Sequence, residues 1–438
     1  SYDLYLFMKK LILVLVIGLL GCENIQNSQN YLITSKKLAE INPSGVGMSE
    51  DRLNRIKEIS DEYITSNKVP GIVTMVARKG KIVYKYVAGA RGIKDSTNLK
   101  EDDLFRIYSM TKPITAIAAM QLYEDGKFHL KDPISKFIPE LKRLKYVNEN
   151  GEFVETKKEI TMQQLLTHTA GFSYGFNPND TIDKLYNKAN LWESKDLDEF
   201  TKKISEIPLK FEPGNRWHYS IAVDLTGLIV ERLSNMSLDE YFYKKIFKPL
   251  GMNDTFFEVP ENKKSRFLPN HYYDGEKNES FEIPEENRAM SNYYDVSLFS
   301  GGGGLVSTAM DYMIFAECLR NGGSYNGKRI ISPKTIDFMI KNHLEASISN
   351  VGSGESPSSN NRGGFGFGLG FGLMLDSSLN GTIGSNGEYS WGGAAGTIFW
   401  IDPKEEIVVV SMIQLMNSPW SLRQDLKVAT YQAIDKLY

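Results

Sequence analysis

Cysteine is nearly absent: the chain has two in 438 residues, Cys22 and Cys318. Two cannot build a disulfide framework, and neither stands in a His/Cys cluster with metal-ligand spacing, so the residues offer no stapled scaffold and no metal site. An excess of one charge is lacking too. Against 54 Asp and Glu stand 51 Lys and Arg, a formal net charge of −3 with a pI near 6.1, which leaves no electrostatic footprint for a nucleic-acid partner. Only one apolar run of any length occurs, over residues 11–20. What is present is the balance of a soluble globular protein: 41% hydrophobic and 24% charged residues, on a chain long enough for one large domain or two ordinary ones.

The apolar run is read as an address. From Met8 the sequence is MKKLILVLVIGLLGCENIQNSQN: two lysines, the apolar stretch, then Gly21-Cys22 and a polar segment. These are the n- and h-regions of a secretory signal, short for a membrane span. Leu19-Leu20-Gly21-Cys22 resembles the bacterial lipobox, which implies a signal peptide over 1–21, lipidation of Cys22, and a membrane-anchored protein held outside the cytoplasm. Residues 22–48 then read as the lipidated cysteine and a polar tether, with the folded domain over 49–438. Cys318, in an apolar helical stretch, reads as a small buried hydrophobe.

Along that domain the patterning predicts a helix over 51–66, a hairpin of strands 71–78 and 81–88, and a long apolar helix over 109–125. A mainly helical block occupies about 132–299, with helices over 161–167, 196–204, 221–233 and 238–246. Strands return at 365–375, 389–400 and 407–414, before a terminal helix over 421–437. Residues 347–364, rich in Ser, Asn and Gly, read as a surface loop. The order predicts one α/β (α+β) fold: an antiparallel sheet built from both chain ends and flanked by helices, with a mainly helical insert.

Three segments carry candidate chemistry. Ser109-Met110-Thr111-Lys112 is the only S-x-x-K tetrad, and it stands where a loop gives way to the apolar helix. Residues three apart share a helix face, so Lys112 reaches back to the Ser109 hydroxyl, and the helix N-terminus favours negative charge developing there. A rival nucleophile, Ser173, lies in Gly171-Phe172-Ser173-Tyr174-Gly175, which matches the G-x-S-x-G elbow; no strand leads in and no helix leads out, as that elbow requires. Tyr219 closes a turn-rich loop before a helix, placed to act as acid or base or simply to pack. Trp391-Gly392-Gly393-Ala394 lies in the late strand region, where glycines admit a ligand close to backbone N–H donors, or else mark a bulge.

In this order and separation the three segments resemble the serine β-lactamase and penicillin-binding superfamily, in particular class C β-lactamases and family VIII carboxylesterases. Leu165-Leu166-Thr167-His168-Thr169-Ala170-Gly171 and the glycines 301–304 look similar too. The resemblance implies a β-lactamase/transpeptidase-like fold, acylation of Ser109, proton handling by Lys112 with Tyr219, and an oxyanion hole from the backbone N–H groups of Ser109 and Ala394. It implies no cofactor and no metal.

Two departures bear on the substrate. The family's Tyr-x-Asn is here Tyr219-Ser220-Ile221, and its Lys-Thr-Gly is Trp391-Gly392-Gly393, so an amide partner and a cation are missing from the substrate-binding positions. Small-molecule esters are therefore the expected substrates. β-Lactams or D-alanyl peptides, acyl transfer, and a non-catalytic ligand-binding homologue stay open at this point.

Overall fold

The computed structural model describes residues 37–284, 293–348, 351 and 363–438. Cys22, the signal segment and most of the 347–364 loop fall outside these. Residues 37–438 form one compact unit.

Its centre is a seven-stranded antiparallel sheet. We label β1 Gly71–Arg78, β2 Lys81–Gly89, β3 Phe365–Phe367, β4 Gly372–Met374, β5 Tyr389–Gly392, β6 Ile398–Asp402 and β7 Ile407–Met412; their order across the sheet is β3-β4-β5-β6-β7-β1-β2. Both chain ends thus meet where β7 pairs with β1. The β1–β2 turn places Lys79 and Gly80 at φ 52° and 75°, the paired positive values that match the twist of a two-residue hairpin.

Alternation along the central strands shows why helices cover both faces. Ile407 and Val409 join Ile72, Val76 and Trp400 in one apolar cluster, packed under helices α1 (Arg55–Thr65) and α5 (Leu422–Tyr431). Val408, Val410 and Met412 join Val73, Met75, Phe399 and Ile401 in the other, together with α2 (Thr111–Glu124), α3 (Ala222–Ser234) and α4 (Ala309–Arg320). Successive strand side chains point to opposite faces, so a strand buried on both sides reads as a continuous apolar run. Helix α2 is buried on nearly all sides, which is why its sequence is apolar around the whole circumference. Cys318 is fully buried in α4.

The architecture is the expected one, with local differences. Leu38, Val46 and Met48 are buried and residue 41 bonds Ile82 across the β2 edge, so the folded body takes in residues 37–48, which read as tether because their apolar positions are few and unperiodic. The strands expected over 365–375 and 389–400 are each two strands. Glycines make the turns, Gly370 at φ 92° and Gly396 at φ 91°, while apolar residues on either side continue the pattern across the break. Within the 347–364 loop Ser347 and Gly363 are exposed, as expected of a surface loop, but Ile348 and Val351 are buried against Trp217, Tyr219 and Phe367. Among the described residues no helix is long and apolar enough to cross a membrane.

Candidate active site

Ser109 lies in a 3₁₀ turn, Tyr108–Met110, that leads directly into α2, and it is partly accessible. One turn on, Lys112 is buried and its ammonium donates to three acceptors: Ser109 Oγ at 3.1 Å, the Tyr174 hydroxyl at 2.7 Å and the Gly302 carbonyl at 2.7 Å. The three hydrogens of an ammonium are thereby all placed. The Gly302 carbonyl is brought in by the 301–304 loop, which α2 itself holds through Thr115 Oγ1 on the Gly301 carbonyl (2.7 Å) and the Leu305 N–H on Thr111 Oγ1 (3.1 Å).

Packing of α3 on α2 delivers the loop that precedes it, and with it Tyr219, whose hydroxyl donates to Ser109 Oγ at 2.7 Å. From β5, the Trp391 indole N–H donates to that same Tyr219 oxygen at 3.3 Å. Lys112, Tyr219 and Trp391 thus converge around one serine hydroxyl.

Electrostatics follow from burial. Asp224, wholly buried on α3, accepts from Ser300 Oγ (2.5 Å) and the Gly302 N–H (3.1 Å). Burial raises its carboxyl above the ordinary range, and the Lys112 charge opposes that rise. Burial likewise keeps the Tyr174 phenol well above its usual range, with Tyr219 adding to the effect. His168 packs its ring on Tyr219 at 5.0 Å and holds Ser220 Oγ with Nδ1 at 3.1 Å. Burial first, then the Lys112 charge, drive it well below its ordinary value, so it is neutral.

The third segment only begins in a strand. After Gly392 the chain turns, with Gly393 N–H donating to the Thr397 carbonyl at 2.8 Å and Gly396 N–H to the Gly393 carbonyl at 3.1 Å. Ala394 stands exposed on this turn. A Cβ on Gly393 would lie 2.4 Å from the Ile107 carbonyl oxygen, so the absence of a side chain lets the turn press against the backbone leading to Ser109.

Ser173 is placed elsewhere. It is buried, its Oγ donates to Asp183 at 2.5 Å and sits 3.1 Å from His218 Nε2, and its own N–H is capped by the Tyr186 hydroxyl at 3.0 Å. In a Ser-His-Asp triad the imidazole stands between acid and hydroxyl; here the acid accepts the serine hydrogen bond directly. Ile221 needs a correction as well. It is fully buried in the core, so it offers a substrate no surface.

Sequence reasoning missed Tyr174, Asp224 and the Gly302 carbonyl. Tyr174 is the residue after Ser173 in the G-x-S-x-G match, where it fills a position that the pattern leaves unspecified. Its ring lies stacked between Phe176 and Trp192, at 5.1 and 6.5 Å, with the hydroxyl on Lys112.

Comparison with known proteins agrees with this geometry. The profile of the Beta-lactamase family matches residues 56–433. Protein Rv1367c of Mycobacterium tuberculosis is 31% identical over 366 residues, covering 82% of this chain and 88% of that protein. Esterase EstB of Burkholderia gladioli is 27% identical over 403 residues, covering 87% and 95%. The solved structure of EstCE1, described as a hydrolase with promiscuous acyltransferase activity, superposes with a TM-score of 0.73 at 25% identity, covering 87% of this chain and 99% of that one. The chain belongs to the beta-lactamase family of serine hydrolases.

Proposed function

We propose that this serine hydrolase is a carboxylesterase that cleaves small neutral esters through an acyl-enzyme on Ser109. The observation that carries the reading is the pair of contacts on Ser109 Oγ, from Lys112 Nζ at 3.1 Å and Tyr219 at 2.7 Å, under the Trp391 indole. In its reacting form the Lys112–Tyr219 pair carries one proton fewer than the ammonium and phenol described above, and the Tyr219 oxygen takes the proton from Ser109 as Oγ attacks the ester carbonyl. The carbonyl oxygen becomes the oxyanion, received by the backbone N–H groups of Ser109 and Ala394. The intermediate collapses, the alcohol leaves with the proton held by the pair, and the Ser109 ester remains. Water repeats the sequence: the pair removes its proton, hydroxyl adds to the acyl carbon, and Ser109 departs with the proton restored.

Ester preference follows from recognition, since the chemistry is common to all acyl substrates. Trp391 brings no cation to meet a carboxylate, and Ile221 brings no amide. Half-buried Phe365 and Trp391 supply apolar surface near Tyr219, backed by the buried Phe367, Trp217, Ile348 and Val351. One missing charge-assisted hydrogen bond at about 1.5–3 kcal/mol and one neutral one at about 0.5–1.5 kcal/mol amount to at least a roughly thirtyfold disadvantage for a β-lactam. The test compares kcat/KM for p-nitrophenyl butyrate and a chromogenic cephalosporin: the ester is expected to win by that margin, and faster turnover of the cephalosporin would make the protein a β-lactamase instead.

A second reading, acyl transfer to an alcohol other than water, has the description of EstCE1 in its favour. Transfer uses the same acyl-enzyme, and an ester product formed in the presence of added alcohol would reveal it. We also propose that Cys22 carries the lipid that anchors the enzyme to a membrane outside the cytoplasm.

A further inference from the structure

A cation used by none of these roles lies behind the Trp391–Gly393 segment. Arg423 stands in the first turn of α5. Its guanidinium is pressed onto β5 where Gly392 has no side chain: a Cβ there would lie 2.6 Å from Nη1 and 2.9 Å from Nη2. Nη2 donates to the Gly393 carbonyl at 2.7 Å and to the Thr397 carbonyl at 3.1 Å. These two carbonyls are the ends of the turn that carries Ala394. Both also accept backbone N–H groups within the turn, so the guanidinium completes their second lone pairs and ties the ends together.

Arg423 makes no ion pair with a carboxylate among the described residues, and its surroundings are dry enough to lower it to about 10, with Tyr219 opposing that shift. A cation held in such a place without a counter-charge is costly. Stability alone does not account for it; the donors are spent on one short turn.

We propose that Arg423 is a positioning residue for the oxyanion hole. By bridging the Gly393 and Thr397 carbonyls it fixes the turn so that the Ala394 N–H keeps its aim toward the oxygen of the carbonyl attacked by Ser109. Gly392 is then glycine because the guanidinium occupies the space a side chain would fill. The proposal rests on the reading of Ala394 as an oxyanion donor. It assigns Arg423 no contact with substrate, and thereby separates it from a carboxylate anchor.

The test uses Arg423→Gln, Arg423→Lys and Gly392→Ala, the last crowding the guanidinium from the opposite side without removing it. Displacing a catalytic group by about 1 Å costs on the order of 10²-fold, and loss of one oxyanion donor about 10²–10³ in kcat. Arg423→Gln is therefore expected to lower kcat for p-nitrophenyl butyrate by about 10²-fold with KM little changed. The Ki of phenylboronic acid, whose tetrahedral adduct on Ser109 carries the oxyanion, should rise by a similar factor. Gly392→Ala should follow the same split, and Arg423→Lys should recover part of the loss. Thermal melting confirms that each variant is folded.

The same series is run with mono-p-nitrophenyl glutarate, an anionic ester. Equal losses on both esters support the clamp. A loss confined to the anionic ester and appearing in KM would make Arg423 a carboxylate anchor and overturn it, as would unchanged kcat and Ki in all three variants. If the unsubstituted enzyme neither hydrolyses esters nor binds the boronate, the esterase reading falls and the clamp falls with it; if it does both, failure of the variants to respond removes the clamp alone.

Discussion

The indole N–H of Trp391 meets the hydroxyl oxygen of Tyr219 at 3.3 Å, so the residue that replaces the lysine of the Lys-Thr-Gly pattern touches the tyrosine proposed to handle the Ser109 proton. In the proposed mechanism Trp391 does two things: it withholds a cation from the substrate and supplies a neutral donor to the proton-handling pair. Trp391→Phe keeps the aromatic wall and removes the donor. Loss of one neutral hydrogen bond, about 0.5–1.5 kcal/mol, predicts a roughly twofold to tenfold fall in kcat for p-nitrophenyl butyrate. Trp391→Lys should shift kcat/KM toward the cephalosporin. An unchanged ratio would remove Trp391 from the account of specificity.

Tyr174 is the third contact on Lys112, at 2.7 Å, and burial keeps its phenol protonated across the working pH range. Tyr174→Phe removes one acceptor from a buried ammonium while leaving the stacked ring. A hydrogen bond to a charged group is worth about 1.5–3 kcal/mol, so kcat should fall by about tenfold to a hundredfold, with a shifted pH–rate profile and little change in KM. A KM effect alone would place Tyr174 in substrate binding instead.

His168 gives a stability prediction. Its folded-state value lies well below the ordinary 6.5, through burial and then the Lys112 charge, so the unfolded chain binds a proton near pH 6.5 that the folded chain refuses. Stability is therefore lost as pH falls below about 6.5, at up to about 1.4 kcal/mol per unit from this residue. His168→Gln is expected to be less stable at pH 7.5 but to show a flatter decline down to pH 5.5, measured by chemical denaturation. Parallel pH profiles for the two proteins would contradict this. His271 and His343 are also depressed by burial, so a slope should remain in the variant.

Legibility in the sequence depended on the range of the interaction. The Ser109–Lys112 contact is local, set by helical spacing alone, and the central strands were readable because the stretch 407–410 is apolar throughout. The hairpin at Lys79-Gly80 was marked by its turn residues. Tyr174, Asp224 and Arg423 gave no such signal: each reaches the site from a distant segment, 62, 112 and 311 positions beyond Lys112 by residue number. The breaks in the two late strands were hidden for a different reason. Glycine-rich turns at 368–371 and 393–396 interrupt the ladder without interrupting the apolar pattern. Ser173 was set aside because the elbow's strand and helix are lacking, while the burial that its Asp183 and His218 contacts accompany lies beyond what a five-residue pattern can say.

The anchor has its own test. Cells supplied with a clickable fatty acid should label the protein, and Cys22→Ala should not be labelled. Equal labelling of the two would end the lipoprotein proposal and leave the site untouched.

The central claim is that Ser109 is acylated, and a fluorophosphonate probe measures that directly. Intact-mass analysis after incubation should find one adduct per chain, and peptide mapping should locate it on Ser109. Ser109→Ala should take up none, while Ser173→Ala should label as the unsubstituted protein does. An adduct on Ser173, or undiminished labelling of Ser109→Ala, would contradict the account.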